Sequence, residues 1–139
     1  MTQLVSAHAT SSASPEAFFA KWIDHSSWSQ WSPDSEWVKL DAPVAVGATG
    51  TLKPKGGPKT KFTITTLERD EEYTDVSHFP AARLVFQHLA RRQGDHTELS
   101  VHVTIEGPLG WLWGRILGGG FTTSVPADLD RLVAIVEAE

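Results

Sequence analysis

The sequence predicts an α+β fold in which one long C-terminal helix covers an antiparallel sheet. From Pro108 to Val136 the apolar residues recur at steps of three, four and one, the spacing of a single buried helical stripe. Between Glu36 and Glu106 the chain instead shows short apolar segments separated by turn-forming residues, which is typical of strands joined by hairpins. The predicted order is one strand, two short helices, six strands and the long helix.

Each element has a local signal. Residues 3–10 alternate apolar and polar side chains, as a strand with one buried face does. Ser14 and Pro15 suit the cap and the first position of a helix, and Trp28 and Trp31 share one face of a second, shorter helix. The remaining strands are predicted at residues 36–40, 50–53, 59–67, 73–79, 84–90 and 97–105.

The long helix contains residues that pack poorly inside a helix. Pro108 suits its first turn, but Gly118–Gly120 and Pro126 fall within it. We predict a continuous, bent helix that spans a space, with the glycines leaving room for a ligand. Trp113 follows the apolar stripe, so Trp111 is expected to be partly exposed.

Composition excludes several classes of function. The 139 residues predict a single domain over residues 1–139, and the net charge of −5 argues against a nucleic-acid partner. The absence of cysteine excludes disulfides and thiolate metal sites. No secretory signal and no run of about 18 apolar residues is present, so we expect a cytoplasmic protein without integral membrane association.

Strand parity predicts which side chains face the helix. The odd positions from Leu99 to Ile105 are apolar and face inward, as do Leu84, Phe86 and His88. If residues 80–83 form a four-residue turn, Phe79 pairs with Leu84. Ser77 then lies opposite Phe86, and Asp75 lies opposite His88 on the inner face.

Three interpretations of Asp75 and His88 stay open. They are a buried polar pair that only fixes strand register, a polar anchor for a ligand, or a general acid–base pair. The other histidines are weak candidates, because His8, His78 and His102 fall on uncertain or outward faces, and His25 and His96 fall in turns. No metal site and no cofactor is predicted.

The lysines at positions 53, 55, 59 and 61 mark a hairpin tip. They are interpreted as a solvated turn or as a flap that attracts an anionic ligand.

Several stretches together resemble a known family. They are Ser14-Pro-Glu-Ala-Phe-Phe19, Trp28-Ser-Gln-Trp31-Ser-Pro-Asp34, Val46-Gly-Ala-Thr-Gly50-Thr-Leu-Lys-Pro54, Arg83-Leu-Val-Phe-Gln-His88 and Glu106-Gly-Pro-Leu109. In this order they resemble the START-like (SRPBCC) helix-grip superfamily, closest to its polyketide cyclase/dehydrase and lipid-transport branch.

The resemblance implies a seven-stranded antiparallel sheet that grips a long C-terminal helix, with a cavity between them. Members of this kind bind lipids, sterols, polyketides or plant hormones, and some cyclise or dehydrate polyketides. Because the family has no universal catalytic set, the resemblance assigns no catalytic residue, and the fold does not fix the function.

The leading hypothesis is a cavity that binds a small hydrophobic or aromatic molecule. Its predicted lining is Trp31, Phe62, Ile64, Asp75, Ser77, Phe86, His88, Val101, Trp113, Leu117 and Phe121. The alternatives are a polyketide cyclase or dehydratase that uses Asp75 and His88 as acid and base, and a co-chaperone-like interaction module with a solid interior and an exposed patch near Trp111. A homodimer through an edge strand or Trp111 is left open.

Overall fold

The computed structural model describes residues 2–139 and contains one antiparallel sheet of seven strands, covered on one face by helices. The strands are β1 (Thr2–Ser11), β2 (Ser35–Leu40), β3 (Thr49–Pro54), β4 (Thr60–Glu68), β5 (Glu72–Phe79), β6 (Ala82–Gln93) and β7 (His96–Glu106). The helices are α1 (Pro15–Ile23), α2 (Trp28–Trp31) and α3 (Gly110–Glu137), and a 3-10 turn, His25–Ser27, joins α1 to α2. The predicted fold class is confirmed.

The order of the strands across the sheet is β1-β7-β6-β5-β4-β3-β2, so β1 and β2 form its two edges. Helix α1 begins as predicted, with the Ser14 hydroxyl accepting a hydrogen bond from the Ala17 amide and Pro15 at the first position. Its aromatic side chains are buried against the inner face of the sheet, the face that carries the apolar positions of β7. The sheet and the three helices therefore share one interior.

Helix α3 is continuous through Gly118–Gly120 and Pro126, as predicted, although it begins at Gly110 rather than in the turn of Pro108. Its C-terminal half closes the interior, because Val125, Leu129, Leu132 and Val136 are all buried.

The N-terminal half of α3 differs from the prediction. Leu112 and Ile116, which were expected in the buried stripe, are 36% and 60% exposed, and Trp111 is 64% exposed. Leu112 and Ile116 therefore do not cover the sheet, whereas Trp113, Leu117 and Phe121 of the same stripe pack against the core.

A row of glycines explains this orientation. Gly110, Gly114 and Gly118 are four residues apart and face β1 and β7: a Cβ built on Gly114 would lie 3.3 Å from Leu4 Cδ2 and 3.8 Å from Ile105 Cγ2. Missing side chains at this spacing let α3 lie close to the β1 edge, and Leu112 and Ile116 then point to solvent.

Gly119 and Gly120 do not belong to this row. They are exposed, and a Cβ on either of them would meet no atom within 4 Å. The expectation that the glycine triplet leaves room inside the protein is therefore wrong for these two residues.

The first turns of α3 are fixed to the hairpin between β5 and β6. The Trp113 indole Nε1 donates a hydrogen bond to the Pro80 carbonyl at 3.0 Å, and its ring packs on Phe79 with a centroid distance of 5.1 Å. No helix within residues 2–139 combines the length and apolarity needed to cross a bilayer.

We predict that Gly119→Ala and Gly120→Ala each raise the free energy of unfolding by about 0.5–1 kcal/mol, because alanine loses less backbone entropy in a helix and finds free space here. Gly114→Leu is the contrasting variant, and we expect it to destabilise the fold by about 1–3 kcal/mol through overpacking against Leu4. Urea titrations measure both. A loss of stability in Gly119→Ala would contradict the assignment of that position to the solvent side.

Candidate functional site

Strand β5 places a row of polar side chains on the inner face of the sheet. Tyr73, Asp75 and Ser77 alternate with outward residues and are buried, with exposed fractions of 0%, 4% and 9%. In the register of the sheet Ser77 pairs with Phe62 and Leu84, Asp75 pairs with Ile64 and Phe86, and Tyr73 pairs with Leu67 and His88. The polar row thus runs between an apolar row on β4 and a row on β6 that is apolar except for His88.

The prediction that Asp75 lies directly opposite His88 is wrong. The turn between β5 and β6 contains only Pro80 and Ala81, so Phe79 pairs with Ala82 rather than with Leu84. Ala81 adopts a φ of 55°, a conformation that alanine rarely takes, and nothing in its residue type indicates the tighter turn. A shift of two residues preserves the face of every side chain, so Asp75 and His88 still point inward.

The same correction applies to Ser77, which pairs with Leu84 instead of Phe86. Phe86 is the cross-strand partner of Asp75, and no hydrogen bond joins the side chains of Asp75 and His88 within the described residues.

Tyr73 is the centre of the buried hydrogen-bond network. Its hydroxyl donates to Asp75 Oδ2 at 3.0 Å and lies 2.7 Å from His25 Nε2. Because a phenol carries one hydrogen, His25 Nε2–H donates to Tyr73 whenever Tyr73 donates to Asp75. The chain runs in the opposite direction when Asp75 is protonated on Oδ2, since that oxygen then donates to the phenol, whereas a proton on Oδ1 leaves the bond from Tyr73 unchanged. The network therefore responds to the proton on Asp75.

The backbone of Tyr73 also holds His88. Its Nδ1–H donates to the Tyr73 carbonyl at 3.1 Å, which leaves Nε2 of the neutral ring as a lone-pair acceptor. The ring also packs against Trp22, with a centroid distance of 5.4 Å. The imidazole is therefore positioned as a neutral acceptor.

Burial sets the protonation states of these groups. Desolvation raises the pKa of Asp75 to about 7, although the hydrogen bond from Tyr73 opposes the shift. Desolvation lowers the pKa of His88 to about 4, and it also lowers the pKa of His25. Burial, followed by the nearby Asp75 carboxylate, raises the pKa of Tyr73. Near neutral pH both imidazoles are uncharged, and Asp75 is close to its titration midpoint.

The aromatic end of this network lies under the two short helices. The His25 ring stacks between Trp28, at a centroid distance of 4.7 Å, and Phe62, at 5.8 Å. Its Nδ1 atom is buried and has no hydrogen-bond partner among the described residues. The indole nitrogens of Trp22 and Trp31 are in the same situation. Several polar atoms of the interior are thus left without protein partners.

On the opposite side, toward the start of α3, several side chains of the inner face are only partly buried. We call the partly exposed region between β5, β6 and residues 113–121 the inner-face cleft; it is formed by Ser77, Phe79, Phe86, Trp113, Leu117 and Phe121. All but Ser77 are only half-buried although they face the interior, and Phe86 meets Phe121 edge-to-face at 5.6 Å. The cleft exists because α3 leans toward β1 at this end.

The predicted site residues fall into two groups. Phe86, Trp113, Leu117 and Phe121 line the cleft, with Ser77 at its floor. The others are buried more deeply in the core: Trp31, Phe62, Ile64, Asp75, His88 and Val101. The sequence therefore places every candidate on the correct face, but it does not separate the open wall from the solid core.

Two members of the network were missed by the sequence reasoning. His25 was assigned to a turn, where it indeed lies, but the turn folds under the sheet and buries the ring. Tyr73 shares its strand parity with Asp75 and Ser77, so the alternation of β5 could have identified it.

Other features of the surface do not compete with the cleft. An open groove of about 760 Å³ lies at the end of the sheet that carries the turn between β4 and β5. It is lined largely by charged residues, including Glu16, Arg91 and Glu98, so it suits water better than an apolar ligand. A smaller concavity of about 320 Å³ lies beside Gly107 and Pro108. Neither lies between the sheet and α3. Among residues 2–139, no group of three or more His, Asp or Glu side chains is arranged to hold a metal ion.

Comparison with known structures agrees with this architecture. Protein MLL2253 from Mesorhizobium loti is 17% identical, with a TM-score of 0.77 and 96% of each chain covered. A START superfamily protein from Mycobacterium smegmatis is also 17% identical, with a TM-score of 0.73 over 96% of this chain and 97% of that one. The DynU16 protein of the dynemicin biosynthetic locus is 15% identical, with a TM-score of 0.72 over 96% of this chain and 46% of that one. These likenesses establish the fold.

No protein of curated function matches the chain in sequence. The family model described as polyketide cyclase / dehydrase and lipid transport matches residues 2–137, nearly the whole chain. Together with the geometry described above, a seven-stranded sheet that grips a long helix, this match identifies the family: the chain belongs to the polyketide cyclase / dehydrase and lipid transport family.

Proposed function

We propose that the protein binds a small hydrophobic or aromatic molecule in the inner-face cleft. The observation that carries the proposal is the partial exposure of Phe79, Phe86, Trp113, Leu117 and Phe121, all of which face the interior. Apolar side chains around a concave space beside a few placed polar groups are the usual composition of a small-molecule site. Ligand binding also fits the family to which the chain belongs.

The ligand would enter at the open end, beside the first turns of α3. Its apolar body would replace water on the aromatic walls, which is favourable in proportion to the apolar area removed from solvent. Its polar end would reach Ser77 and Asp75 at the floor. The filled half of the interior, under Leu129 and Leu132, sets the inner limit of the site.

A second candidate function is proton transfer on such a ligand. A carboxyl group with a pKa of about 7 is suited to act as acid and base near neutral pH, and Asp75 has this property. His88 would take part only through Nε2, because Nδ1 is committed to the Tyr73 carbonyl.

The interaction-module alternative is supported by a different surface. Trp111, Leu112 and Ile116 form an exposed apolar cluster on the solvent side of α3. This cluster faces away from the cleft, so variants can separate the two hypotheses.

We predict that an apolar fluorescent dye binds to the wild-type protein and raises its melting temperature, because a ligand of the native state stabilises it. Phe121→Ala should weaken binding about tenfold, since an aromatic contact contributes about 1 kcal/mol beyond simple burial. Trp111→Ala is the matched control on the same helix and should leave the affinity unchanged. Fluorescence titration and thermal melting measure both effects.

If the wild-type protein neither binds the dye nor shows a raised melting temperature, the cleft is not a binding site for apolar molecules. If Trp111→Ala loses as much dye affinity as Phe121→Ala, the dye binds to the exposed cluster of Trp111, Leu112 and Ile116 instead.

We predict opposite pH dependences for two variants of the network. The raised pKa of Asp75 makes the folded state bind its proton more tightly, so its contribution to stability is full below pH 4 and is lost as the pH rises toward 7. The lowered pKa of His88 acts in the other direction: its contribution is full above about pH 6.5 and is lost as the pH falls toward 4. In the wild type the two effects largely cancel.

The difference in unfolding free energy between Asp75→Asn and the wild type should therefore rise with pH between 4 and 7, by up to about 1.4 kcal/mol per pH unit. The corresponding difference for His88→Gln should fall between pH 4 and 6.5. Chemical denaturation at four pH values measures both slopes. Parallel curves for the variants and the wild type would show that neither group is titrated in this manner.

We predict that Asp75→Asn abolishes any enzyme-catalysed exchange of the acidic α-hydrogens of a bound aryl ketone with deuterated water, which NMR detects. Trp111→Ala changes the solvent side of α3 and should retain the exchange, because this side chain lies outside the cleft and away from Asp75. Exchange that survives in Asp75→Asn would refute the proton-transfer role.

A further inference from the structure

The basic residues of this protein all lie outside its interior. Ten of the twelve Lys and Arg side chains are exposed in the described part of the chain. The other two, Lys21 and Lys53, are half-buried and pair with Glu139 and Glu36. No Lys or Arg within residues 2–139 is therefore available to a ligand that enters deeply.

Histidine does not replace the missing cations. His25 and His88 are the two buried histidines, and burial lowers the pKa of both, so they are neutral near pH 7. An anion at the floor of the cleft would face no opposite charge, and the desolvation of an unpaired charge costs several kcal/mol.

The floor does offer uncharged hydrogen-bonding atoms. Tyr73 donates to Asp75 Oδ2, which leaves Oδ1 as the second carboxyl oxygen, and Ser77 Oγ and His88 Nε2 are further uncharged polar atoms on the inner face. The three side chains are at least nine-tenths buried and lie on neighbouring positions of β5 and β6. A protonated Asp75 and Ser77 can donate, whereas His88 Nε2 can only accept.

We infer that the ligand is an uncharged molecule whose carbonyl or hydroxyl oxygen meets Ser77 and Asp75 at the floor of the cleft, and that carboxylates and phosphate esters are rejected there. This inference rests on the proposed function and narrows its substrate class. Among hydrophobic molecules of similar size, neutral aromatic ketones, phenols and alcohols are expected to bind, whereas fatty acids and phospholipids are not.

The lysines of the β3–β4 hairpin offer an alternative site for an anionic ligand. Lys55, Lys59 and Lys61 are exposed near the end of the sheet at which α3 begins. They could hold an anion only at the rim, with the apolar body of the ligand inside and its charge outside. A rigid, short ligand cannot adopt that arrangement while it fills the floor.

Two probes of nearly equal shape test the inference. 2-Acetonaphthone carries a neutral methyl ketone, and 2-naphthoate carries a carboxylate on the same ring position. At about pH 6, where Asp75 is largely protonated and naphthoic acid is ionised, we expect the ketone to bind at least tenfold more tightly. Isothermal titration calorimetry with the wild-type protein measures both affinities.

The role of the floor is tested by variants and by pH. The titratable side chains that face the interior are Tyr73, Asp75 and His88 of the sheet and His25 of the 3-10 turn, while Asp128 of α3 is bonded to Ser32 and Arg131. Of these, Asp75 has its pKa of about 7 in the tested range. Ketone affinity in the wild type should fall about fivefold from about pH 6 to about pH 8, because ionised Asp75 cannot donate.

Asp75→Asn keeps a donor without a titratable proton, so its ketone affinity should not change with pH. Equal or tighter binding of naphthoate by the wild type would overturn the inference while leaving the proposed cleft intact. Naphthoate binding that is lost in Lys55→Ala and Lys59→Ala would place the anion at the rim and also overturn it. If neither probe binds, the cleft itself is not the site, and the proposed function fails with the inference.

Discussion

The hydrogen bonds of Tyr73 are the contact on which the interior of this protein depends. The phenol links the sheet, through Asp75, to the 3-10 turn, through His25, and the carbonyl of the same residue holds His88 on the adjacent strand. One residue, through its buried phenol and its backbone carbonyl, therefore joins β5, β6 and the connection between α1 and α2. Its removal would leave polar atoms of His25 and Asp75 without partners, which costs more than the hydrogen bonds themselves contribute.

This joint divides the interior into two regions with different packing. On one side lie the aromatic side chains of α1, α2 and the 3-10 turn, and the C-terminal half of α3 closes over the sheet. On the other side α3 lies against the β1 edge through its glycine row, and Phe79 of β5 and Phe86 of β6 stay partly exposed. A single helix thus serves as a lid along half of its length and as one wall of a cleft along the other half.

Much of the fold could be predicted, because alternation along a strand and spacing along a helix follow directly from backbone geometry. All seven strands and the faces of Asp75, Ser77, Phe86 and His88 were obtained in this way. The pairing of β5 with β6 was not, since it depends on the positive φ of Ala81, which has no signature in residue type. Because that error amounts to two residues, it altered neighbours and left every face unchanged.

The limits of prediction at the helix and in the network have a common cause. The triplet Gly118–Gly120 is the most conspicuous glycine pattern in the sequence. The glycines that bring the helix close to Leu4 and Ile105 are instead Gly110, Gly114 and Gly118, which are spaced four residues apart. The burial of His25 depends likewise on where a short turn lands in space. Both require the tertiary arrangement, which spacing along one element does not contain.

The retention of a polar network in this place argues for a role beyond folding. Apolar residues of similar volume usually stabilise a core as well as a buried polar cluster does, or better. Within residues 2–139 the cluster also leaves His25 Nδ1 without a hydrogen-bond partner, and the nearby indole nitrogens of Trp22 and Trp31 are left without one as well. A network that served only to fix strand register would satisfy its own atoms. Buried polar atoms that the protein leaves without partners are the arrangement expected of groups whose partners arrive with a ligand.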